Sequence, residues 1–190
     1  MELSEPITAP CGFRPGMTRA GFLETVVTAA KAGCLYLPAF AFLFAMLVPV
    51  HTYLLEQYLG ARTATAMLVF FIGGLAGGSV AWILSAVFAR GRAWSARFSI
   101  ALIAHALLVP LATAFVFFLQ YRLYFSQWHG PAFSEIWFWQ MGFTGAAAIY
   151  LFVVSAVQYI FPLGFAVLIG VSALFCKWSA TLSERQFPGK

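Results

Sequence analysis

Four stretches without a single charged residue govern what this chain can become. There are 24 uncharged residues between Lys31 and Glu56, 27 between Arg62 and Arg90, and 24 between Arg97 and Arg122. A fourth stretch, Ile136 to Cys176, runs for 41. A helix needs about 20 apolar residues to cross a hydrocarbon layer of roughly 30 Å. Lipid offers no partner for open backbone groups, so such blocks fold as helices. Charged residues make up 9% of the 190, against about 25% in soluble domains, and the mean hydropathy is +0.87. The expected class is an all-α integral membrane protein.

The first three blocks predict transmembrane helices near 32–55, 65–89 and 98–121. The fourth is twice the length of one crossing, about 60 Å as a single helix. Pro162, followed by Gly164, marks the break, because proline removes a helix hydrogen bond and clashes with the turn before it. Three arrangements satisfy this block. Residues 140–161 cross and 163–178 form a short interfacial or re-entrant helix; both cross as a hairpin; or one long helix is kinked and tilted. Charge placement selects four crossings, which the first and third arrangements share. With four crossings and the N-terminus inside, nine of the 11 Lys and Arg residues are cytoplasmic, and only Arg62 and Arg122 lie outside. Five crossings would leave six against five, and the positive-inside rule favours the larger asymmetry. Both termini are then cytoplasmic, in what size and charge pattern suggest is a bacterial inner membrane.

The domain reading follows. Residues 1–31 form a cytoplasmic tail, Pro- and Gly-rich to residue 16, with a candidate interfacial helix over 17–31. Residues 32–178 form the transmembrane domain, and 179–190 a second cytoplasmic tail. Tyr53, Tyr58, Tyr121, Tyr124, Trp137 and Trp139 would make an outer aromatic belt, with Trp94 and Trp178 at the inner one.

Much chemistry is excluded by what is missing. The chain has no Asp and no Asn, and its six Glu residues are scattered outside the apolar blocks. Clustered carboxylates for divalent metals, a shared-proton carboxylate pair, and a carboxylate at membrane depth are all lacking. Cys11, Cys34 and Cys176 are far apart and form no CxxC pair. No catalytic residue and no metal site is expected, and the chain reads as a non-enzyme. A surface site from His51, His129 and Glu135 is the weak exception.

The remaining candidates are contact surfaces and isolated polar groups. Gly73, Gly77, Ala81 and Ser85 recur every four residues in the second helix, and Gly74 with Gly78 makes a second GxxxG pair. Small residues on a stripe let another helix approach closely, so packing within the chain or between copies is expected here. His105 is an ionisable side chain well inside a span, a site candidate by position, while its plain role is a neutral imidazole bonded to a helix carbonyl. Ser79 at a similar depth offers a Ser–His dyad without any oxyanion hole. Gln158 and Ser155 share a face one turn apart, and with Pro162 they mark either interhelical hydrogen bonding or a broken helix lining a path. Residues 121–139 hold eight aromatics, among them Tyr121, Tyr124, Trp128, Trp137 and Trp139. This segment suits anchoring in headgroups, or docking of a partner or ligand.

Two functions fit. The first is a non-catalytic accessory or structural subunit of a larger membrane complex; the alternative is a small oligomeric transporter or flippase for a lipid-linked or apolar substrate. Leu47-Val48-Pro49 recurs as Leu108-Val109-Pro110, a faint repeat in keeping with the second. No tightly held cofactor is expected. Bound lipid is, and the aromatic segment suits quinone or pigment contact. Partners are expected to be membrane lipids, other membrane subunits or further copies, and not nucleic acid. Four helices, inside termini and the basic–aromatic step Arg90-Gly-Arg92-Ala-Trp94 followed by Arg97-Phe98 are loosely similar to the GtrA-like family over roughly residues 31–161. That resemblance implies movement of polyprenyl-linked sugars. The polar helix positions expected of the family are missing, and residues 162–178 have no counterpart in it.

Overall fold

The structure, a computed structural model, describes residues 19–55 and 60–186. Five helices follow in order: α1 (Arg19–Leu54), α2 (Ala61–Phe88), α3 (Trp94–Phe125), α4 (Glu135–Tyr159) and α5 (Phe165–Gln186). All five contain stretches long and apolar enough to cross a membrane, and no strand occurs among the described residues. A 3-10 turn at Ser126–Trp128 follows α3, and a kink over Ile160–Gly164 joins α4 to α5. Tyr58, Cys11 and the Pro- and Gly-rich tail of residues 1–16 lie outside the described residues.

The helices are longer than the charge-free blocks. α1 begins at Arg19 and runs unbroken through Glu24 and Lys31, so the separate interfacial helix over 17–31 and the boundary near 32 do not appear. α3 likewise takes in Arg97 and Arg122. Charges bound the part of a helix that can sit in hydrocarbon; the helix itself continues where long side chains reach water. The break near Pro162 does appear. Phe161, forced out of the helical region by the following proline, has φ −108° and ψ 132°. Beyond it, α5 is a helix of 22 residues, not the short segment 163–178.

α2 is the centre of the bundle, with α1 on one side and α3 on the other, each antiparallel to it. Its glycines make this possible. At Gly77 a Cβ would lie 2.5 Å from the Leu108 carbonyl oxygen and 2.7 Å from Val109 Cα; at Gly73 it would lie 2.5 Å from Thr113 Cα. The α2 and α3 backbones are therefore in direct contact. Gly74 and Gly78 point the other way, receiving Phe44 and Phe40 of α1. Bare glycine on two adjacent stripes lets one helix hold two neighbours by dispersion and Cα–H···O contact.

The last two helices differ from each other in direction. Met141, near the start of α4, takes a contact from Arg122 near the end of α3. Tyr159 comes 18 residues later, about 27 Å along the helix. Even so, its ring lies 4.8 Å from that of His51 and 5.8 Å from that of Phe70. Those residues sit near the end of α1 and the beginning of α2, the same end of the bundle as Arg122. α4 therefore runs across that end, passing Phe118 at Gly145 and Phe117 at Phe152 on the way. α5 then descends along the bundle. Gly164 meets Leu47, and eleven residues on Phe175 sits edge-on to Trp82 at 5.1 Å, close to the opposite end of α2. α4 is also the least buried of the five apolar stretches, at 11%, against 17% for α3, 33% for α5 and 44% for α1 and α2.

Candidate functional site

The α2–α3 seam is a regular contact in which small residues of one helix meet a single stripe of the other. α3 buries Ala101, His105, Val109 and Thr113, one residue per turn on a single stripe. Gly73 meets Thr113 and Gly77 meets Val109, so each step of four on α2 matches a step of four on α3. Continuing that register sets Ala81 opposite His105 and Ser85 opposite Ala101. All of these are buried.

His105 is fully enclosed. Its Nδ1 lies 2.7 Å from the Ala101 carbonyl, one turn back on its own helix, and its Nε2 has no hydrogen-bond partner. Phe40 of α1 reaches it across α2, its ring 6.1 Å away and edge-on at 82°. The route passes Gly78, where a Cβ would come within 2.9 Å of that ring. The side chain of Ser79 is turned elsewhere, its hydroxyl donating to the Leu75 carbonyl at 2.6 Å. Serine and histidine are not hydrogen-bonded to each other.

The other buried hydroxyls behave the same way. Thr52, Thr113 and Ser172 donate to the carbonyls of Val48, Val109 and Leu168, each four residues back, at 2.7–2.8 Å. Helix carbonyls have a spare lone pair, and in lipid this is the cheapest place for a hydroxyl hydrogen. Ser85 Oγ and His105 Nε2 are the buried polar atoms left without a partner among the described residues. Both lie on the α2–α3 seam.

From His105 a file of rings crosses the core: Phe40, Phe44 at 5.8 Å, Phe70 at 5.3 Å, then Tyr159 and His51. Trp82, fully buried, is a second hub, bracketed by Tyr36, Phe175 and Trp178, with its Nε1 donating to the Ala29 carbonyl at 3.1 Å. Nothing in the sequence separates Trp82 from other apolar positions of its block. Trp178 packs inward against Trp82 and Phe175, whereas an interfacial anchor was expected there.

Gln158, Ser155 and Pro162 are exposed on α4 and the kink. They are not gathered with His105, which lies inside the bundle on α3. The aromatic segment, by contrast, is assembled. Tyr121, Tyr124, Phe125 and Trp128 form one ring cluster; Trp137 joins Phe133 and Phe138 in another. The Arg122 guanidinium lies 5.7 Å from the Trp137 ring, a cation–π contact tying α3 to α4. The loop between them is pinned by Gly130 N–H donating to Gln140 Oε1 at 2.8 Å and by His129 Nε2 at 3.2 Å from the Thr144 hydroxyl. Trp139 projects outward. His51 is packed against Tyr159 while His129 is engaged by Thr144, and no group of three metal-ligating side chains occurs among the described residues.

At the opposite end, the α2–α3 turn is a compact basic cap. Gly91, at φ +71°, supplies the left-handed residue that the turn requires. Arg92 Nε then donates back to the Phe88 carbonyl at 3.0 Å, Arg97 Nε to the Arg92 carbonyl at 2.7 Å, and Arg90 to Thr25 Oγ1 of α1 at 2.6 Å. Cations on the last carbonyls of α2 also complement its dipole. In comparisons with protein families, curated proteins and solved structures, nothing matches this chain.

Proposed function

We propose that this protein is a non-catalytic accessory subunit of a larger membrane assembly, and that α4 is the helix through which it docks. The observation that carries the reading is the outward face of α4. Phe143, Tyr150, Val153 and Val154 stand exposed there, and Ser155 and Gln158 are exposed beside them. An amide at a lipid-exposed position lacks the hydrogen-bond partners that a neighbouring polar helix would provide. Buried polar groups elsewhere in the chain are mostly closed on their own helices, which favours a structural role over conduction through the bundle.

In this reading α1, α2, α3 and α5 cross the membrane, and α4 is inclined across the outer end of the bundle so that Gln158, beside Tyr159 where it meets Phe70, stays within the apolar layer. Both termini are then cytoplasmic, with the basic α2–α3 turn on the same side. The test is extraction from the native membrane in a mild detergent, followed by identification of what co-purifies. A defined set of proteins, released by Gln158→Leu or Tyr150→Ala, is the expected result. A lone homo-oligomer that moves a lipid-linked substrate in liposomes would overturn the subunit reading in favour of transport.

A further inference from the structure

On the outside of the bundle, between α2 and α3, lies a groove of about 480 Å³. Its walls are Leu84 and Phe88 on α2 and Ile100, Ile103 and Leu107 on α3; its one charged lining residue is Arg92. The groove starts at the basic turn and ends at Leu108. Ile100 to Leu108 covers about 12 Å of helix, close to the depth of a single leaflet, half of the roughly 30 Å core. The small side chain of Ala104 also lines it.

Arg92 gives the groove its polarity. The Phe88 carbonyl holds its Nε, which fixes the planar head at the mouth and leaves the terminal nitrogens to form a fork toward an anion. Between Glu56 and Glu135 the sequence contains no carboxylate, so neither α2, α3 nor the turn joining them has an acidic group to offer it. Arg97, in the first turn of α3, donates from Nε to the Arg92 carbonyl.

We propose that this groove is a binding site for an anionic phospholipid, with one acyl chain lying between α2 and α3 and the phosphate at Arg92. An apolar channel one leaflet long with a cation at headgroup level matches the two halves of such a lipid, and basic pockets between helix ends on the cytoplasmic side favour anionic headgroups. The site goes beyond the docking role of α4 and lies at the other end of the bundle.

The full chain in detergent is titrated with phosphatidylglycerol and with phosphatidylcholine of identical tails, and bound lipid is counted by native mass spectrometry. Phosphatidylglycerol is expected to bind in preference. Arg92→Gln should lower its affinity about fivefold and leave phosphatidylcholine unchanged, while Arg92→Lys should keep most of the preference. Ile103→Trp, which fills the groove and spares the arginine, should also reduce phosphatidylglycerol binding, and Arg62→Gln at the far end should not. Equal binding of the two lipids overturns the proposal. So does a preference that survives both Arg92→Gln and Ile103→Trp, or one lost equally with Arg62→Gln. A dimer that forms through this face and excludes lipid overturns it as well. The titration uses the isolated chain, so its outcome is independent of any partner found by co-purification.

Discussion

Gly77 and Gly78 are adjacent in sequence, yet a methyl group at each would meet a different obstacle. At Gly77 it meets the α3 backbone; at Gly78 it meets the ring of Phe40, which can swing aside. Gly77→Ala is therefore expected to destabilise by about 1–3 kcal/mol, the usual range for overpacking, and Gly78→Ala by less. At Gly142 of α4 nothing lies within 4 Å, so Gly142→Ala should be neutral or gain up to about 1 kcal/mol from helix propensity. Melting of the three variants in one detergent ranks them, and equal losses at 77 and 78 would refute the backbone contact. The unpartnered atoms at Ser85 and His105 lead to a second prediction. A buried polar group without a hydrogen bond costs about 1–3 kcal/mol, so Ser85→Ala should raise stability or leave it unchanged. A clear loss would mean that the hydroxyl has a partner in the membrane. His105→Leu, if folded but unable to retain the co-purifying partner, would mark the imidazole as functional beyond its packing.

Among the elements, α4 and α5 come from one charge-free block and do different work. Tyr159 fastens the end of α4 against His51 and Phe70, whereas Tyr150, nine residues earlier, projects outward. Tyr159→Ala is expected to cost about 2 kcal/mol, toward the low end for large-to-small changes at a half-buried ring. Tyr150→Ala should leave the melting temperature unchanged while reducing retention of a partner. The pair separates folding from docking: if both variants lose stability alike, α4 has no free face. α5 owes its place to a stripe of Leu168, Val171, Ser172, Phe175 and Cys176, all buried. The stripe does not stand out in the sequence, because exposed positions between its members, Ile169 and Leu174, are as apolar as the buried ones.

For the whole molecule the decisive question is which side holds Lys177. With α4 across one end and α5 descending, Lys177 lies on the side of Arg92; with five crossings it joins Arg122. Single cysteines at Arg92, Arg122 and Lys177, in a background with Cys11, Cys34 and Cys176 replaced by alanine, can be labelled from each side of sealed vesicles. Lys177→Cys is expected to react together with Arg92→Cys and opposite to Arg122→Cys. Reaction alongside Arg122→Cys would establish five crossings and move the C-terminus outside.

Solvent class, helical content, the break at Pro162 and the two glycine stripes of α2 were all legible in the chain, because each rests on local chemistry. Hydrocarbon excludes charge, lipid demands internally bonded backbone, proline cannot continue a helix, and glycine alone has no Cβ. Helix ends were less legible, since Lys31, Arg97 and Arg122 can remain helical while reaching out of the apolar layer. Tertiary structure alone decided which of the two segments around Pro162 lies along the bundle, because hydropathy measures transfer into lipid and carries no direction. The separation of His105 from Gln158 and Ser155 was decided there too, as depth along a helix can be counted but its rotation against neighbours cannot. The same holds for Trp82 and for the groove beside Arg92, which exist only where residues from different helices meet at one level. Periodicity reveals that a helix has a face, and packing determines what that face meets.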